Sequence, residues 1–255
     1  MSLKEFDENF TLKNKCAIVT GAASGIGFEI VKMYARKGAD IIAFDLAKSD
    51  ELEAYVKALG RRYVFYKGDI TRTEDLQGVT DAVCKEFGKI DILVNCAGVG
   101  MVDKAETLSE EMWDTTMNIN LKGSVRMAQT VGRTMIANGG GKIINIGSQA
   151  GVVALDRHLA YGAAKAAIIY ATKQFALEWA KFNINVNAIS PTVILTPMGE
   201  KNWNNASGDE FKKRIPAGRF GYPQEVAACA VFLASDAASL INGENLVIDG
   251  GFTIG

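Results

Sequence analysis

The sequence contains little proline, little cysteine and almost no histidine. Its 255 residues include 4 prolines, 4 cysteines and 1 histidine. One histidine and no pair of cysteines at CxxC spacing provide no usual ligand set for zinc or iron, so we predict no metal site. The cysteines lie in apolar segments, which favours reduced thiols over disulfides and indicates a cytoplasmic protein.

An excess of charge of one sign is also lacking. The 28 basic and 29 acidic residues leave a net charge of −1, so we expect neither nucleic acid nor a membrane surface as the main partner. The longest stretch without charge, residues 182–199, contains three asparagines and two prolines and does not predict a transmembrane helix. The charged start, MSLKEFDENF, has no apolar region typical of a secretory signal.

Short apolar runs alternate with longer helical patterns along the whole chain. We predict strands at residues 16–20, 41–45, 63–66, 90–95, 142–146, 184–189 and 246–248. We predict helices at residues 25–37, 50–59, 73–87, 109–135 (continuous or broken) and 161–181. This βαβ order, with no linker or repeat, predicts an α/β fold with a doubly wound parallel sheet of the Rossmann type, formed by residues 1–255 as a single domain.

A glycine-rich turn follows the first predicted strand. Gly21 permits a tight turn, Gly25 lets the main chain approach a diphosphate, and Gly27 allows close packing of helix on strand. The helix start, with Ser24 and Ile26, would present N–H groups to the phosphates. A glycine-rich turn with no ligand remains the alternative.

The second predicted strand ends at Asp45, twenty residues after Gly25. A carboxylate there can bind the ribose hydroxyls of a dinucleotide, although a charge at a strand end can also act as a helix cap. It would repel a 2′-phosphate, and neither Ser24 nor Leu46 offers a basic group. Asp45 therefore favours NAD over NADP.

Tyr161 and Lys165 are spaced i and i+4 in a helical pattern, so they share one face. The ammonium group eases proton loss from the tyrosine, which makes it a candidate general acid–base. Ser148 can donate a hydrogen bond to a substrate oxygen as negative charge develops. Tyr63 and Lys67 have the same spacing, but on a strand they would lie roughly 13 Å apart.

From about residue 13 onward, the chain resembles the short-chain dehydrogenase/reductase family. The GxxxGxG turn, the Ser148…Tyr161-x-x-x-Lys165 arrangement and Asn120 in Asn-Leu-Lys-Gly carry the resemblance. The element Asn95-Cys96-Ala97-Gly98 departs from the family pattern at Cys96, and the Pro191–Thr196 element departs at Thr192. The resemblance implies a catalytic tetrad of Asn120, Ser148, Tyr161 and Lys165. It implies cofactor contacts by Asp69, Ile70, Asn95, Tyr161, Lys165, Pro191, Ile194 and Thr196.

The resemblance also implies the reaction, which is interconversion of a secondary alcohol and a ketone; Asp45 indicates NAD as its cofactor, although the branch resembled below usually uses NADPH. His158, three residues before Tyr161, and Trp203, in an irregular lid near residues 195–216, are similar to the L-xylulose (dicarbonyl) reductase branch. With Ser148 and Tyr161 they are the candidate substrate residues, and they indicate oxidation of a short polyol or 1,2-diol. His158 as a surface residue and Trp203 as a packing anchor are the alternatives for these two side chains.

Two other functions stay open. One is a reductase of 3-oxoacyl thioesters, which Asp45 disfavours because biosynthetic reductases usually prefer NADP. The other is a non-enzymatic NAD-sensing module, which the intact tetrad disfavours. The family resemblance further implies a homotetramer, and the small apolar residues of the predicted helix 161–181 suit close helix packing.

Overall fold

The structure, a computed structural model, describes residues 10–255, apart from the side chains of residues 198, 201 and 202. The segment 1–9, which holds most of the start predicted to lack a secretory signal, lies outside the described residues. Seven parallel strands form one sheet in the order β3-β2-β1-β4-β5-β6-β7. The strands are β1 (Cys16–Thr20), β2 (Asp40–Asp45), β3 (Tyr63–Lys67), β4 (Ile92–Asn95), β5 (Gly141–Ile146), β6 (Ile184–Pro191) and β7 (Asn245–Ile248).

The strand order reverses between β1 and β4, which confirms the doubly wound, Rossmann-type sheet. Tyr63 and Lys67 both lie on β3, as predicted. The helices of the described residues are α1 (Gly25–Arg36), α2 (Asp50–Ala58), α3 (Thr73–Phe87), α4 (Glu110–Met117), α5 (Ser124–Ala137), α6 (Leu159–Trp179), α7 (Pro197–Trp203), α8 (Ala206–Lys213) and α9 (Pro223–Ala234). None of them has the length and apolar character needed to cross a membrane.

Two apolar cores cover the two faces of the sheet. On one face α1, α2 and α9 bury their side chains against the strands, and on the other α3, α5 and α6 do so. Helix α9 was not predicted from the sequence. It is buried over much of its surface and therefore lacks the polar stripe that marks a helix on one side of a sheet. Tyr34 of α1 donates a hydrogen bond to the carbonyl of Ala230 of α9 (3.0 Å), which links the two helices.

The helix predicted at residues 109–135 is broken. Helix α4 ends at Met117, a π-helical turn follows at Asn118–Gly123, and α5 continues from there. Gly123 packs closely against Ile70, since a Cβ at this glycine would lie 2.8 Å from the isoleucine side chain and 2.9 Å from its carbonyl oxygen. Residues of this wider turn lie at the end of the sheet where the strands have their carboxyl ends.

The prediction that the segment 195–216 is irregular is wrong, because α7 and α8 form most of it. Its role as a lid stays a prediction. Each of these short helices is capped by a side chain. Thr196 accepts a hydrogen bond from the N–H of Gly199 (3.0 Å), and Asn205 accepts one from Gly208 (3.0 Å). Such caps satisfy donors at a helix start and stabilise helices that are too short to form alone.

Candidate active site

A cleft of about 1590 Å³ opens at the carboxyl ends of the strands. Doubly wound sheets bind ligands at this edge, near the reversal of strand order. The volume is larger than the roughly 300–1000 Å³ of most small-molecule sites, so a dinucleotide and a second ligand fit together. The lining contains every predicted site residue except Asn95: Gly21, Ser24, Gly25, Ile26, Gly27, Asp45, Asp69, Ile70, Asn120, Ser148, His158, Tyr161, Lys165, Pro191, Ile194, Thr196 and Trp203.

Three glycines shape the turn between β1 and α1. Gly21 and Gly25 have φ angles of +65° and +58°, a region that favours glycine. A Cβ at Gly27 would lie 2.1 Å from the carbonyl oxygen of Gly21, so only glycine lets α1 begin this close to the turn. Ser24, the N-cap residue, makes no side-chain cap, which leaves the first N–H groups of α1 for an anionic ligand.

Asp45 holds the same turn from the end of β2. One carboxylate oxygen accepts a hydrogen bond from the N–H of Ala23 (2.9 Å), and the other accepts one from Ala47 (3.1 Å). Each oxygen retains capacity for a further donor. Leu46, beside it in the cleft wall, is 63 % exposed. Asp45 thus combines a structural role in the turn with a position suited to binding a diol.

Asn95 is a correction to the predicted cofactor contacts, because its side chain does not line the cleft. The side chain is 2 % exposed. Its amide nitrogen donates to Asn145 Oδ1 (2.9 Å) and to the carbonyl of Ser124 (3.2 Å). The residue therefore joins β4 to β5 and to α5, and it supports the cleft from behind.

Lys165 is a buried cation in the centre of the cleft, with 6 % of its surface exposed. Its ammonium donates a hydrogen bond to the carbonyl of Ile146 (2.7 Å) and lies 5.7 Å from the centroid of the Tyr161 ring. The two side chains leave α6 on the same face, as predicted. An ammonium has three donors, so Lys165 retains donors for ligand oxygens next to the tyrosine.

Asn120 lies in the π-helical turn, with its amide locked to the loop after β4. Its Oδ1 accepts from the N–H of Val99 (2.8 Å), and its Nδ2 donates to the carbonyl of Val99 (2.9 Å). A Cβ at Gly98 would lie 2.8 Å from Asn120 Oδ1 and 3.8 Å from Lys165 Nζ. The missing side chain at Gly98 therefore leaves room for the Asn120 amide beside the main chain.

Ser148 follows β5 and lines the cleft. Its hydroxyl oxygen accepts a hydrogen bond from the N–H of Ala150 (3.1 Å), which orients the side chain and leaves the hydroxyl proton available for donation. Ser148, Asn120, Tyr161 and Lys165 thus line one cleft although they come from separate elements. The arrangement can polarise an oxygen atom and exchange a proton with it.

His158 is the N-cap residue of α6 and lines the cleft. Its Nδ1 lies 2.5 Å from the carbonyl oxygen of Asp156, so a neutral ring donates there and carries its acceptor on Nε2. The ring packs edge-on against Tyr161, with 5.9 Å between the centroids. His158 is therefore a cleft residue with a fixed tautomer.

Trp203, the last residue of α7, lines the cleft and packs against Phe211 of α8. Its ring lies 5.0 Å from that of Phe211 and 5.9 Å from that of Phe220. These phenylalanines belong to a separate apolar cluster, which we call the lid core and which consists of Phe211, Ile215, Phe220 and Phe252. The sequence left two interpretations of Trp203, an anchor for packing and a residue of the cleft wall, and the side chain takes both positions at once.

The sequence did not reveal the rest of the wall around these residues. Its apolar part includes Met112 of α4, Leu155 and Phe211, and its polar part includes Gln149, Asn205 and Ser207. These residues belong to no sequence motif. Only Gln149 could have been predicted to lie near the cleft, because it directly follows Ser148.

Known proteins resemble this chain along its whole length. A family model described as Enoyl-(Acyl carrier protein) reductase matches residues 21–253. An NAD-dependent glycerol dehydrogenase of Listeria innocua is 56 % identical over 100 % of both chains. A D-threitol dehydrogenase of Mycolicibacterium smegmatis is 51 % identical over 97 % of this chain and 96 % of the relative. The solved structure of a gluconate 5-dehydrogenase from Burkholderia cenocepacia, in complex with NADP and tartrate, superposes with a TM-score of 0.93, 33 % identity and coverage of 97 % and 98 %.

Proposed function

The chain belongs to the short-chain dehydrogenase/reductase family, and from this premise we propose that it oxidises a secondary hydroxyl of a short polyol or 1,2-diol to a ketone with NAD. The observation that carries the proposal is the convergence of Ser148, Tyr161 and buried Lys165 in the cleft that the glycine turn opens into. The relatives named as glycerol and threitol dehydrogenases support the substrate class.

The residues of the cleft fit NAD. A diphosphate would lie on the turn at Gly21 and Gly25. A Cβ at Gly21 would lie 2.8 Å from the main chain of Ala97, and one at Gly25 would lie 3.2 Å from the side chain of Thr196, so glycine at both positions keeps the turn in this shape. The carboxylate of Asp45 would bind the ribose hydroxyls at one end, and Lys165 would bind those at the other. Asp69 and Ile70 supply the adenine end of the lining. When bound, NAD supplies the hydride acceptor.

The protein's own part in the reaction is proton exchange and charge stabilisation. Ser148 donates a hydrogen bond to the reacting oxygen. The phenolic oxygen of Tyr161, once its own proton has passed to the relay, takes the proton of the alcohol and becomes a hydroxyl again. Lys165 fixes the tyrosine from the same helix face and supplies positive charge beside it. The amide of Asn120 bonds to both the N–H and the carbonyl of Val99, and it thereby fixes the loop after β4 that forms part of the cleft wall. We retain for it the family role of holding a water in the proton relay.

The charges of the cleft favour a neutral substrate. The charged lining residues of the described chain are Asp45, Asp69, Lys122 and Lys165. Asp45 and Asp69 belong to the part of the cleft proposed to hold the nucleotide, and Lys122 is next in sequence to Gly123, which packs on Ile70. Around His158 and Trp203 the described side chains are apolar or neutral, so a carboxylate or phosphate would lose its hydration without a paired cation.

Hydroxyl groups suit this end of the cleft better. His158 would accept a hydrogen bond from a substrate hydroxyl through Nε2, while Trp203 would pack on the carbon chain. A site that binds hydroxyls in this way rejects analogues that lack them, because its own polar groups are then left unpaired. The sequence-based alternative, a 3-oxoacyl thioester reductase, is disfavoured by Asp45.

A substrate panel tests the proposal. We would measure kcat/KM with NAD and NADP for glycerol, threitol, 1,2-propanediol, glycerate, 2-propanol and, in the reductive direction, acetoacetyl-CoA. We expect the neutral polyols and diols to be used with NAD. We expect glycerate to be at least about 100-fold poorer, because the side chains that the structure describes around His158 and Trp203 include no cation for its carboxylate. Preference for the thioester with NADPH would establish the alternative, and absence of turnover with all substrates would favour the NAD-sensing module.

His158 has its own test within this panel. We expect His158→Ala to reduce kcat/KM for glycerol by about tenfold or more, since a buried hydroxyl loses its acceptor, and to affect 2-propanol much less. His158→Gln, which keeps an acceptor, should restore part of the preference. Equal losses on glycerol and 2-propanol would contradict a role in recognising the second hydroxyl.

We also propose a cytoplasmic homotetramer. The four cysteines are free thiols, which suits a reducing compartment. Leu159, Tyr170 and Leu177 of α6 are 51 %, 68 % and 77 % exposed, and their spacing of 11 and 7 residues places them on one helix face. A second copy would cover this face. Light scattering should give four times the monomer mass, and Tyr170→Glu with Leu177→Glu should lower it, whereas a monomeric wild type would refute the proposal.

A further inference from the structure

The lid core receives one of its four side chains from a distant part of the chain. Phe252 follows β7, whereas the other three members lie in α8 and just after it. The rings of Phe252 and Phe211 stack with 5.1 Å between the centroids and 19° between the planes. Phe211 in turn contacts Trp203 (5.0 Å). Phe252 does not line the cleft, but both aromatic residues beyond it do.

Phe252 is held in a defined position by the turn that carries it. Asp249, 6 % exposed, accepts hydrogen bonds from the N–H groups of Gly251 (2.9 Å) and Thr253 (2.8 Å). The turn begins at the end of β7, where the carbonyl of Ile248 accepts a hydrogen bond from the N–H of Thr192 in the cleft wall (3.2 Å). The sheet therefore fixes the ring on which the lid packs.

The turn also lies directly against the lid. The N–H of Ala217 donates to the carbonyl of Gly250 (3.0 Å). A Cβ at Gly250 would lie 2.8 Å from Ile215, and one at Gly251 would lie 3.1 Å from Pro216. Close approach at two successive glycines, together with the ring stack, means that the lid cannot shift without moving this turn or separating from it.

We propose that Phe252 is a positioning residue for substrate. By fixing Phe211, it sets the distance of the Trp203 ring from the reacting atoms, and it has no role in holding NAD. This inference rests on the proposed function of the cleft, since Trp203 is taken as the wall for the polyol carbon chain. The nucleotide turn at Gly21–Gly27 follows β1, and Asp45 ends β2; neither contributes a side chain to the lid core.

The kinetic test compares Phe252→Ala and Phe252→Leu with Ile254→Ala, whose side chain is 90 % exposed in the same segment. For Phe252→Ala we expect the KM for glycerol to rise about tenfold or more, because a displaced wall loosens substrate positioning. The dissociation constant of NADH, followed by its fluorescence, should stay within about twofold, because a remote change in the lid leaves its contacts in place. Phe252→Leu retains most of the volume and should give a smaller rise. Ile254→Ala should match the wild type.

A second measurement does not depend on activity. Limited trypsin digestion should cut Phe252→Ala faster than the wild type after Lys212, Lys213 or Arg214, while cuts elsewhere keep their rates. Unchanged KM and unchanged lid cleavage in both Phe252 variants would overturn the inference, as would equal loss of NADH and polyol binding. If Phe252→Ala does not fold, Phe252→Leu decides between these outcomes. If the wild type does not oxidise polyols but the Phe252 variants are still cut faster in the lid, the proposed substrate is refuted and the role of Phe252 in holding the lid is retained.

Discussion

Replacement of Asp45 by alanine removes more than a ribose contact. The N–H of Ala23, in the phosphate-binding turn, loses its acceptor at 2.9 Å, and the more exposed N–H of Ala47 loses one at 3.1 Å. A hydrogen bond to a charged group contributes about 1.5–3 kcal/mol. Loss of the ribose bond alone should therefore decrease kcat/KM for NAD by about 10- to 100-fold. Loss of the Ala23 bond disturbs the phosphate-binding turn and should place Asp45→Ala at the upper end of this range.

Asp45→Asn separates the two roles of this side chain. The amide oxygen can still accept from Ala23, so the turn is retained while the charge is lost. We expect a decrease of only about tenfold in kcat/KM for NAD. NADP should gain relative to NAD in both variants, because the repulsion of a 2′-phosphate is removed, but it should gain less in Asp45→Ala, where the turn is also disturbed.

The assay is kcat/KM for both cofactors at saturating glycerol, with thermal unfolding as a control for the turn. Asp45→Ala should lower the midpoint of unfolding more than Asp45→Asn does. Identical kinetics for the two variants would show that the bond to Ala23 contributes nothing. A wild type that prefers NADP would refute the assignment of Asp45 altogether.

Four further substitutions have defined outcomes. Tyr161→Phe should lower kcat by roughly 10²- to 10⁴-fold and leave the NADH dissociation constant within a few-fold. Lys165→Ala should lower kcat and also weaken NADH binding. Substantial activity in Tyr161→Phe would exclude the tyrosine as the acid–base. Gly27→Ala should abolish NADH fluorescence enhancement, because its Cβ would meet the carbonyl oxygen of Gly21 at 2.1 Å, and normal binding would contradict the close packing. Burial raises the pKa of Tyr34 well above its ordinary value of 10.0, so the folded state favours the neutral side chain. The neutral Tyr34 therefore stabilises the fold fully below pH 10, and this stabilisation is lost progressively as the pH rises above 10. Tyr34→Phe should cost about 1 kcal/mol at neutral pH and show a weaker alkaline decline in urea unfolding than the wild type; parallel declines would exclude Tyr34 as the cause.

The parts of the fold that were predictable have strong local signals. Strands buried on both faces appear as continuous apolar runs, and the turn at Gly21–Gly27 requires glycine for reasons of space that the sequence itself displays. Tyr161 and Lys165 share a helix face through their spacing alone. The position of Ser148 beside them followed from the family resemblance, because proximity between different elements has no local pattern.

The parts that escaped prediction depend on tertiary contacts. Helix α9 is buried over much of its surface, so it has no polar stripe to reveal it. The lid helices are short and polar, and they form because Thr196 and Asn205 cap them and because the lid core holds α8. Asn95 belongs to a motif and lies at a strand end, but its side chain faces Asn145 rather than the cleft. Periodicity contains no information about any of these contacts.

The lid core has a consequence for how the protein is made. Domains begin to fold during synthesis, from the N-terminal side, and Phe252 is translated after every other member of its cluster. The nucleotide turn, Asp45 and the catalytic side chains have all been synthesised once β6 is complete. A nascent chain can therefore assemble the cofactor half of its cleft first, while the substrate wall reaches its final form only when Phe252 leaves the ribosome.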